Sequence, residues 1–550
     1  MATINAADLL VATVNELAQR APAVIAAAAA QLGEVILGLH FDDGSHATLQ
    51  AQRSRLLAQP VRSEKPGVEA YFDARALNLL FDLARKPVQE VMEGSLDVRG
   101  SRPEVLAVWR VFGLLAQRAA GLRSVQDLWR QYRDQAPEGW GRPPQPSPLS
   151  DDGRYPLGRG WKALEFLDQR YPEDQDRVVE TTAGTVRQET RSLWDGHTSR
   201  SWWSEEDILD SDLLTIMQRC KNRVQTELMG LVPEREPKSQ LYDLMRIYPS
   251  REGKGLRPTL IIAACCAFGG RSEDSVRTAA AIELFHNAFL VHDDIADEST
   301  HRRNGLTLHN EFGVGLAVNT GDAMNLLAID SVLSNLEFLG LARTLGLIHE
   351  VVHMCRESLE GQAIELGWIR QQRVPEHDED YFLMSFKKTG WYTCISPCRM
   401  GAVCAGETDP RRLDRFNEAF RLIGIAFQIQ DDVLNLVGET ALYGKEPLGD
   451  LLEGKRTIML IHLFRTADPA TRRRLERNVL RPRAEKTQAD ALEVLEAMKE
   501  FGSLEYAIDL ADRLAHQGVA RFEEDLAFLP ESEAKGVLRQ IANYVTTRPL

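Results

Sequence analysis

Long hydrophobic runs are missing from this chain. The most apolar stretch, Ala21 to Leu39, is rich in alanine and is broken by Pro22, Gln31 and Glu34. A membrane-spanning helix needs about 20 consecutive apolar residues, so no transmembrane segment is expected. No basic region precedes that stretch, which also argues against a secretory signal. Cysteine is scarce, with seven in 550 residues, an odd number scattered along the chain. That excludes a disulfide framework and predicts reduced thiols in a cytoplasmic protein. Cys394, Cys398 and Cys404 stand close together, but their spacing matches no common zinc pattern, and they are expected as packed thiols. Positive charge is in deficit too: 65 Lys and Arg against 80 Asp and Glu, a formal charge of −15. Such a balance argues against nucleic acid as a partner. It leaves room for phosphate-bearing small molecules, which need only a local group of Lys and Arg.

What is present falls into three zones, and a length of 550 residues leaves space for about three or four domains. Residues 1–132 mix two periodicities. Asn5 can cap a helix on which Leu10, Val14 and Leu17 share a face. Val35, Leu37, Leu39 and Phe41 then alternate, Asp43-Gly44 supplies a hairpin turn, and Ala47, Leu49 and Ala51 alternate again. Helical stretches at Asp73–Ala84 and Pro87–Glu93 precede a strand at Leu96–Arg99 and an apolar helix from about Glu104 to Arg118. Together these predict a small α+β domain. Residues 133–205 include Gly139-Trp140-Gly141-Arg142-Pro143-Pro144-Gln145-Pro146-Ser147-Pro148, which fits no regular element and reads as a linker. Trp161, Trp194, Trp202 and Trp203 follow, too many aromatics for a plain linker, so part of this zone is expected to dock on a neighbouring domain. Residues 206–550 carry long 3.6-period stretches and predict an all-α bundle.

Two acidic clusters stand out in the helical zone. In His292-Asp293-Asp294-Ile295-Ala296-Asp297, Asp293 and Asp297 lie one helical turn apart and project from one face. Carboxylates so placed repel each other unless a cation sits between them. Mg²⁺ suits that place because it favours carboxylate and phosphate oxygens. Acidic triplets are common on solvated helix faces, so this cluster by itself is modest evidence. The second cluster, Asp431-Asp432, follows Phe427-Gln428-Ile429-Gln430 in an apolar helix expected from about Phe416 to Val437. An acidic pair in so apolar a setting is costly unless it is paired or metal-bound. Nearly 140 residues separate the clusters, enough for them to face each other across a bundle interior.

The two clusters together resemble the aspartate-rich motifs of trans-prenyl diphosphate synthases, and the resemblance continues over about 340 residues. Gly253-Lys254-Gly255-Leu256-Arg257-Pro258 is similar to the family's early Gly-Lys-x-x-Arg-Pro element. The resemblance implies that Lys254, Arg257, His286 and Arg303 grip the diphosphate of isopentenyl diphosphate, and that Arg302 serves the allylic diphosphate. Lys388-Thr389, Gln428, Lys445 and Lys455 are similar to further substrate-binding positions, and Gly361-Gln362-Ala363-Ile364-Glu365 to an element in which Asp is usual at the last place. It implies catalytic roles for Asp293, Asp294, Asp297, Asp431, Asp432 and Lys388, with Asp293, Asp297 and Asp431 as metal ligands to three Mg²⁺ ions. The expected reaction is the magnesium-dependent 1'-4 condensation of isopentenyl diphosphate with an allylic diphosphate, in a homodimer. Asn435 departs from the family, where Asp is frequent, and is expected to accept a hydrogen bond from a metal-bound water.

Ala288 and Phe289, one turn before Asp293, are the expected chain-length positions; only one of them is bulky, which favours geranylgeranyl diphosphate over farnesyl diphosphate or longer products. A terpene cyclase on the same fold would often lack the basic set, and a non-catalytic lipid-binding or regulatory subunit would have a broken first cluster; neither loss is seen here. In the first zone, Val68 to Leu115 resembles the C-terminal half of the sterol-carrier-protein lipid-binding fold, through Asp73–Ala84, Pro87 and Gly94-Ser95-Leu96-Asp97-Val98-Arg99-Gly100. That likeness implies a lipid ligand; a generic assembly domain is the alternative.

Overall fold

The structure, a computed structural model, describes residues 5–41, 43–53, 55–72, 96–119, 122–133, 212–251, 253–407, 409–437 and 448–547. The chain divides into two compact units: residues 1–199 with 333–346, and residues 200–332 with 347–550.

In the first unit, Asn5 accepts a hydrogen bond from the Asp8 N–H at 2.8 Å and starts helix α1, Ala6–Arg20. Pro22 opens α2, Pro22–Leu32, with its fixed φ suited to a first turn. Five strands follow: β1 Ile36–Phe41, β2 His46–Gln52, β3 Arg55–Gln59, β4 Val68–Phe72 and β5 Leu96–Gly100. They form one sheet in the order β3-β2-β1-β4-β5, antiparallel except where β4 runs parallel to β1. Alternation sends Leu37, Leu39, Phe41, Ala70, Phe72 and Val98 into one buried core, shared with α1, α2 and the helices Arg102–Ala119 and Arg123–Arg133. Leu336 belongs to the same core, and Leu341, Ala342 and Leu345 pack against it. This segment is part of the 206–550 zone in the sequence reading, yet it sits with the first unit. The helix Leu336–Arg370 is kinked at Gly340, where φ is 78° and ψ 174°. The stretches expected to be helical at 73–84 and 87–93, the proline-rich run 139–148 and the four tryptophans after it lie outside the described residues.

The second unit is helical, as the periodicity predicts. Its first acidic cluster ends the helix Ser272–Ala296 and its second lies within Asn417–Val437. The helix Leu256–Ala267 is buried on nearly every side, consistent with apolar residues all round it. Between the two acidic helices in sequence comes a ten-residue π-helical stretch, Phe386–Ile395. Among the described residues no single helix is long and apolar enough to cross a membrane; Val314–Leu333 and Leu336–Arg370 pass the test only as a pair bent by 109°. None of the seven cysteines, all among the described residues, is joined in a disulfide.

Candidate active site

A cavity of about 270 Å³ in the second unit is lined by Lys254, Arg257, His286, Arg302, Arg303 and Asp431, together with Glu283, Thr393, Phe427 and Tyr544. Three elements carry the basic residues there. The loop before Leu256–Ala267 presents Lys254 and the first turn of that helix presents Arg257. His286 comes from Ser272–Ala296. Arg302 and Arg303 come from a two-stranded hairpin in which His301 faces Leu306 and Arg302 faces Gly305. Arg303 and Asn304 form its turn with φ of 49° and 60°, the positive values that a two-residue type I′ turn requires. An arginine is strained in that conformation, and such strain gathers where function needs it.

The cavity is crowded with positive charge. Arg257 donates to the Thr393 hydroxyl at 2.8 Å and stacks over the Tyr392 ring at 4.5 Å. Burial, together with the nearby charges of Arg302, Arg257 and Arg251, lowers the Arg303 guanidinium despite Glu283 beside it. Burial, with Arg257, Arg303 and Arg302 around it, holds the His286 imidazole well below the usual histidine range, so the ring is neutral. Arg303 Nη2 lies 3.4 Å from His286 Nε2. Arginine can only donate, so Nε2 accepts and the ring proton sits on Nδ1. Nδ1 of His286 and Nε of Arg257 are buried without a hydrogen-bond partner. Buried donors without partners are costly, and an anion would satisfy them.

The remaining residues form an ion network beside this cavity. Asp294 is fully buried and takes Arg302 through Nε at 2.9 Å and Nη2 at 2.5 Å. Lys388, in the π-helical stretch, pairs with Glu365 at 2.5 Å. Lys455 pairs with Asp450 at 2.8 Å and Glu453 at 3.0 Å, and reaches Asp297 of the first cluster at 3.7 Å. Asp432 accepts from Tyr381 at 2.7 Å and Gln428 at 2.8 Å, while the Gln428 oxygen accepts from Thr389 at 2.7 Å. The Asn435 side-chain oxygen accepts the Asp450 N–H at 3.1 Å, in a buried position. A carboxylate there would add a third charge beside Asp432 and Asp450, which already repel each other.

These residues fit a divalent cation as part of a shared shell. Among the described residues no three acidic, His or Cys side chains converge to chelate an ion by themselves. Asp297, with a side chain only 8% exposed, has its carboxyl pushed up to about 7 by burial, with Glu453 and Asp293 adding to the push against Lys455 and Lys388. Burial and Asp450 push Asp432 to about 7 as well. Burial outweighs the lysines beside these carboxylates, so further positive charge would favour their ionised forms. A magnesium ion would supply it, using one or two carboxylates and completing its shell with phosphate oxygens.

Of the residues singled out in the sequence, the structure gathers Lys254, Arg257, His286, Arg302, Arg303 and Asp431 around one cavity. Asp294, Asp297, Lys388, Thr389, Gln428, Asp432 and Lys455 fall in the adjoining network, and the charge of Asp293 acts on Arg302 and Lys388. Ala288 is buried on the same helix, and Phe289 meets Tyr392 edge-on at 5.7 Å. Lys445 lies outside the described residues. Sequence reasoning missed Tyr248, Arg251, Glu283, Tyr381, Tyr392, Asp450 and Tyr544. Only Asp450, next to the late lysines, carried a local signal.

Comparison with known proteins follows the same outline. The polyprenyl synthetase family model matches residues 238–498. A short chain isoprenyl diphosphate synthase of Methanothermobacter thermautotrophicus is 34% identical over 296 residues, 54% of this chain and 86% of the relative. A geranylgeranyl diphosphate synthase of Methanosarcina mazei is 31% identical over 61% of this chain and 99% of its own length. An octaprenyl diphosphate synthase of Haemophilus influenzae is also 31% identical, over 53% of this chain and 83% of its own. Among solved structures, a geranylgeranyl pyrophosphate synthase of Corynebacterium glutamicum, complexed with isoprenyl diphosphate and magnesium, aligns at 25% identity with a TM-score of 0.55, over 62% of this chain and all of the other.

Proposed function

The chain belongs to the polyprenyl synthetase family, and from that premise we propose that it condenses isopentenyl diphosphate with an allylic diphosphate to give geranylgeranyl diphosphate. The activity class is that of a trans-prenyl diphosphate synthase, a prenyltransferase. One observation carries the reading of the site: the cations that line one cavity, and Lys388 and Lys455 in the ion network beside it, adjoin two acidic clusters in one unit.

In this reading Lys254, Arg257 and Arg303 hold the isopentenyl diphosphate, and the Nδ1–H of His286 donates to one of its oxygens. Arg302, Lys388 and Lys455, with Thr389, Gln428 and Lys445, hold the allylic diphosphate. Asp293, Asp297 and Asp431 would hold magnesium, three ions in all, which supplies positive charge to the departing diphosphate. The C1–O bond of the allylic substrate breaks and its electron pair leaves with the diphosphate, a charge that preorganised cations stabilise. The isopentenyl double bond then bonds to the cationic C1, and a proton lost to the released diphosphate restores a double bond. Tyr381 and Gln428 fix Asp432 beside these groups. The test is incubation with isopentenyl diphosphate, each allylic starter and Mg²⁺, with product analysis by mass spectrometry. A twenty-carbon product supports the reading; release of a cyclic hydrocarbon or no consumption of isopentenyl diphosphate would sink it.

In this reading the small side chain of Ala288 is what leaves the tail its length, while Phe289 meets Tyr392 edge-on. Ala288→Phe should therefore shorten the product, and an unchanged product profile by mass spectrometry would contradict this. Two copies are expected to pair, because Leu316, Leu326, Ile329, Val352 and Leu359 expose 38 to 69% of their surface. Sedimentation at micromolar concentration tests it. The first unit is read as a lipid holder, supported by its β5-to-helix element at the place where the sterol-carrier-protein likeness falls. Binding of a fluorescent prenol to the full chain, retained when the cavity cations are mutated, is the corresponding test. A cytoplasmic setting is in keeping with seven cysteines outside any disulfide.

A further inference from the structure

Asp294 is the middle acid of the first cluster, and its surroundings differ from those of its neighbours. It is 0% exposed and both its oxygens are occupied. Oδ1 accepts from Arg302, and Oδ2 accepts from the Tyr248 hydroxyl at 2.5 Å. The same hydroxyl accepts the Leu308 N–H at 3.2 Å, just beyond the hairpin that carries Arg302. Arg251 lies over the Tyr248 ring at 5.0 Å. Its two terminal nitrogens donate to the carbonyls of Arg302 and Leu306, each at 2.9 Å, so one side chain clamps both strands of the hairpin. A Cβ on Gly305 would fall 2.6 Å from the Arg251 guanidinium, so glycine there keeps the clamp seated.

This arrangement has a direction. The Asp294 pair occupies the Nε and Nη2 edge of Arg302 and leaves Nη1 for a ligand, while Arg302 itself lines the cavity. We propose that Tyr248 and Arg251 are positioning residues: through Asp294 and the hairpin backbone they aim Arg302 at the diphosphate of the allylic substrate. The proposal rests on the synthase reading above and adds to it the two side chains that orient Arg302.

The test uses the full chain with Tyr248→Phe and Arg251→Met. Calorimetric binding of a non-ionisable thio analogue of dimethylallyl diphosphate is measured in EDTA, without magnesium. Tyr248→Phe and Arg251→Met should each weaken it roughly tenfold, the effect of losing one or two hydrogen bonds around a charged group. Tyr248→Phe, which leaves the hairpin clamp intact, should keep binding of isopentenyl diphosphate in the same buffer at the wild-type value. Wild-type analogue binding in both Tyr248→Phe and Arg251→Met would overturn the proposal, as would an equal loss of isopentenyl diphosphate binding in Tyr248→Phe. Thermal melts of each variant identify misfolding; should Tyr248→Phe fail to fold, the half-buried Arg251 still decides the outcome. An unmodified chain that makes no longer prenyl diphosphate would instead refute the underlying synthase reading.

Discussion

Arg302, Lys388 and Lys455 are each matched to a carboxylate: Asp294, Glu365 and Asp450 with Glu453. Matching of this kind holds a long side chain in one place before any ligand arrives and keeps a buried charge tolerable. Glu365, where the family usually has Asp, uses its extra methylene to reach Lys388 at 2.5 Å. Gly361, one turn earlier, makes that approach possible. A Cβ there would lie 2.2 Å from the Lys388 backbone nitrogen and 2.6 Å from its Cα, and backbone cannot step aside as a side-chain tip can. Gly361→Ala should lower turnover by at least about tenfold and stability by about 1–3 kcal/mol, measured by steady-state kinetics and denaturant unfolding. His353 offers a pH prediction away from the candidate metal residues. It packs edge-on against Trp391 at 4.2 Å, and burial, with Arg356 and Arg399 nearby, pushes its imidazole down to about 3. The unfolded chain takes up a proton near 6.5 that the folded chain refuses, so this residue lowers stability progressively as pH falls from about 6.5 towards 3. His353→Asn should flatten that part of the stability profile; an unchanged slope between pH 6.5 and 4.5 would count against the assignment.

Among the elements, the helix Ser396–Cys404 is tied to its neighbours by Arg399, which is fully buried. Its guanidinium binds both oxygens of Glu350 at 2.8 Å, and Asp414 at 2.7 Å. Breaking one side of such a pair leaves a buried charge unmatched. Arg399→Met alone should cost about 3–5 kcal/mol of unfolding free energy, and adding Glu350→Leu should recover much of it, because two apolar groups leave no orphan charge. Equal losses in the single and double variants would contradict this account. Regular elements were legible wherever their pattern is local. The alternation of Leu37, Leu39 and Phe41 marks β1, Asn5 caps α1, and the apolar repeat around Asp431 marks its helix. β4 was not legible, because Val68–Phe72 acquires its place only by pairing in parallel with β1, across a connection of more than twenty residues. The hairpin turn at Arg303-Asn304 was missed for a related reason: neither residue is glycine, and their positive φ is held by contacts such as the Arg251 clamp.

For the molecule as a whole, the first unit is built from two separate stretches of chain. Leu336 sits in its core at 6% exposure, and Gly340 allows the backbone to turn where any Cβ would lie 2.4 Å from an oxygen of buried Asp97. A chain that begins near residue 200 should therefore bare Leu336, Leu341, Ala342 and Leu345. It should bind an apolar-surface dye such as ANS several-fold more strongly than the full chain, and equal dye fluorescence would refute the shared core. The sequence by itself determined the helical and α+β classes and the residues with chemistry to offer. Both are written in contiguous periodicity, and in acids and bases one turn apart on a helix. Tertiary structure decided the rest: which cations are paired and by which acid, that Asn435 holds the Asp450 backbone, and that residues 333–346 fold with the N-terminal stretch. The Arg399–Glu350 and Lys455–Asp297 contacts join residues far apart in the chain. Such contacts depend on which surfaces meet once apolar faces are buried, and no local pattern encodes that.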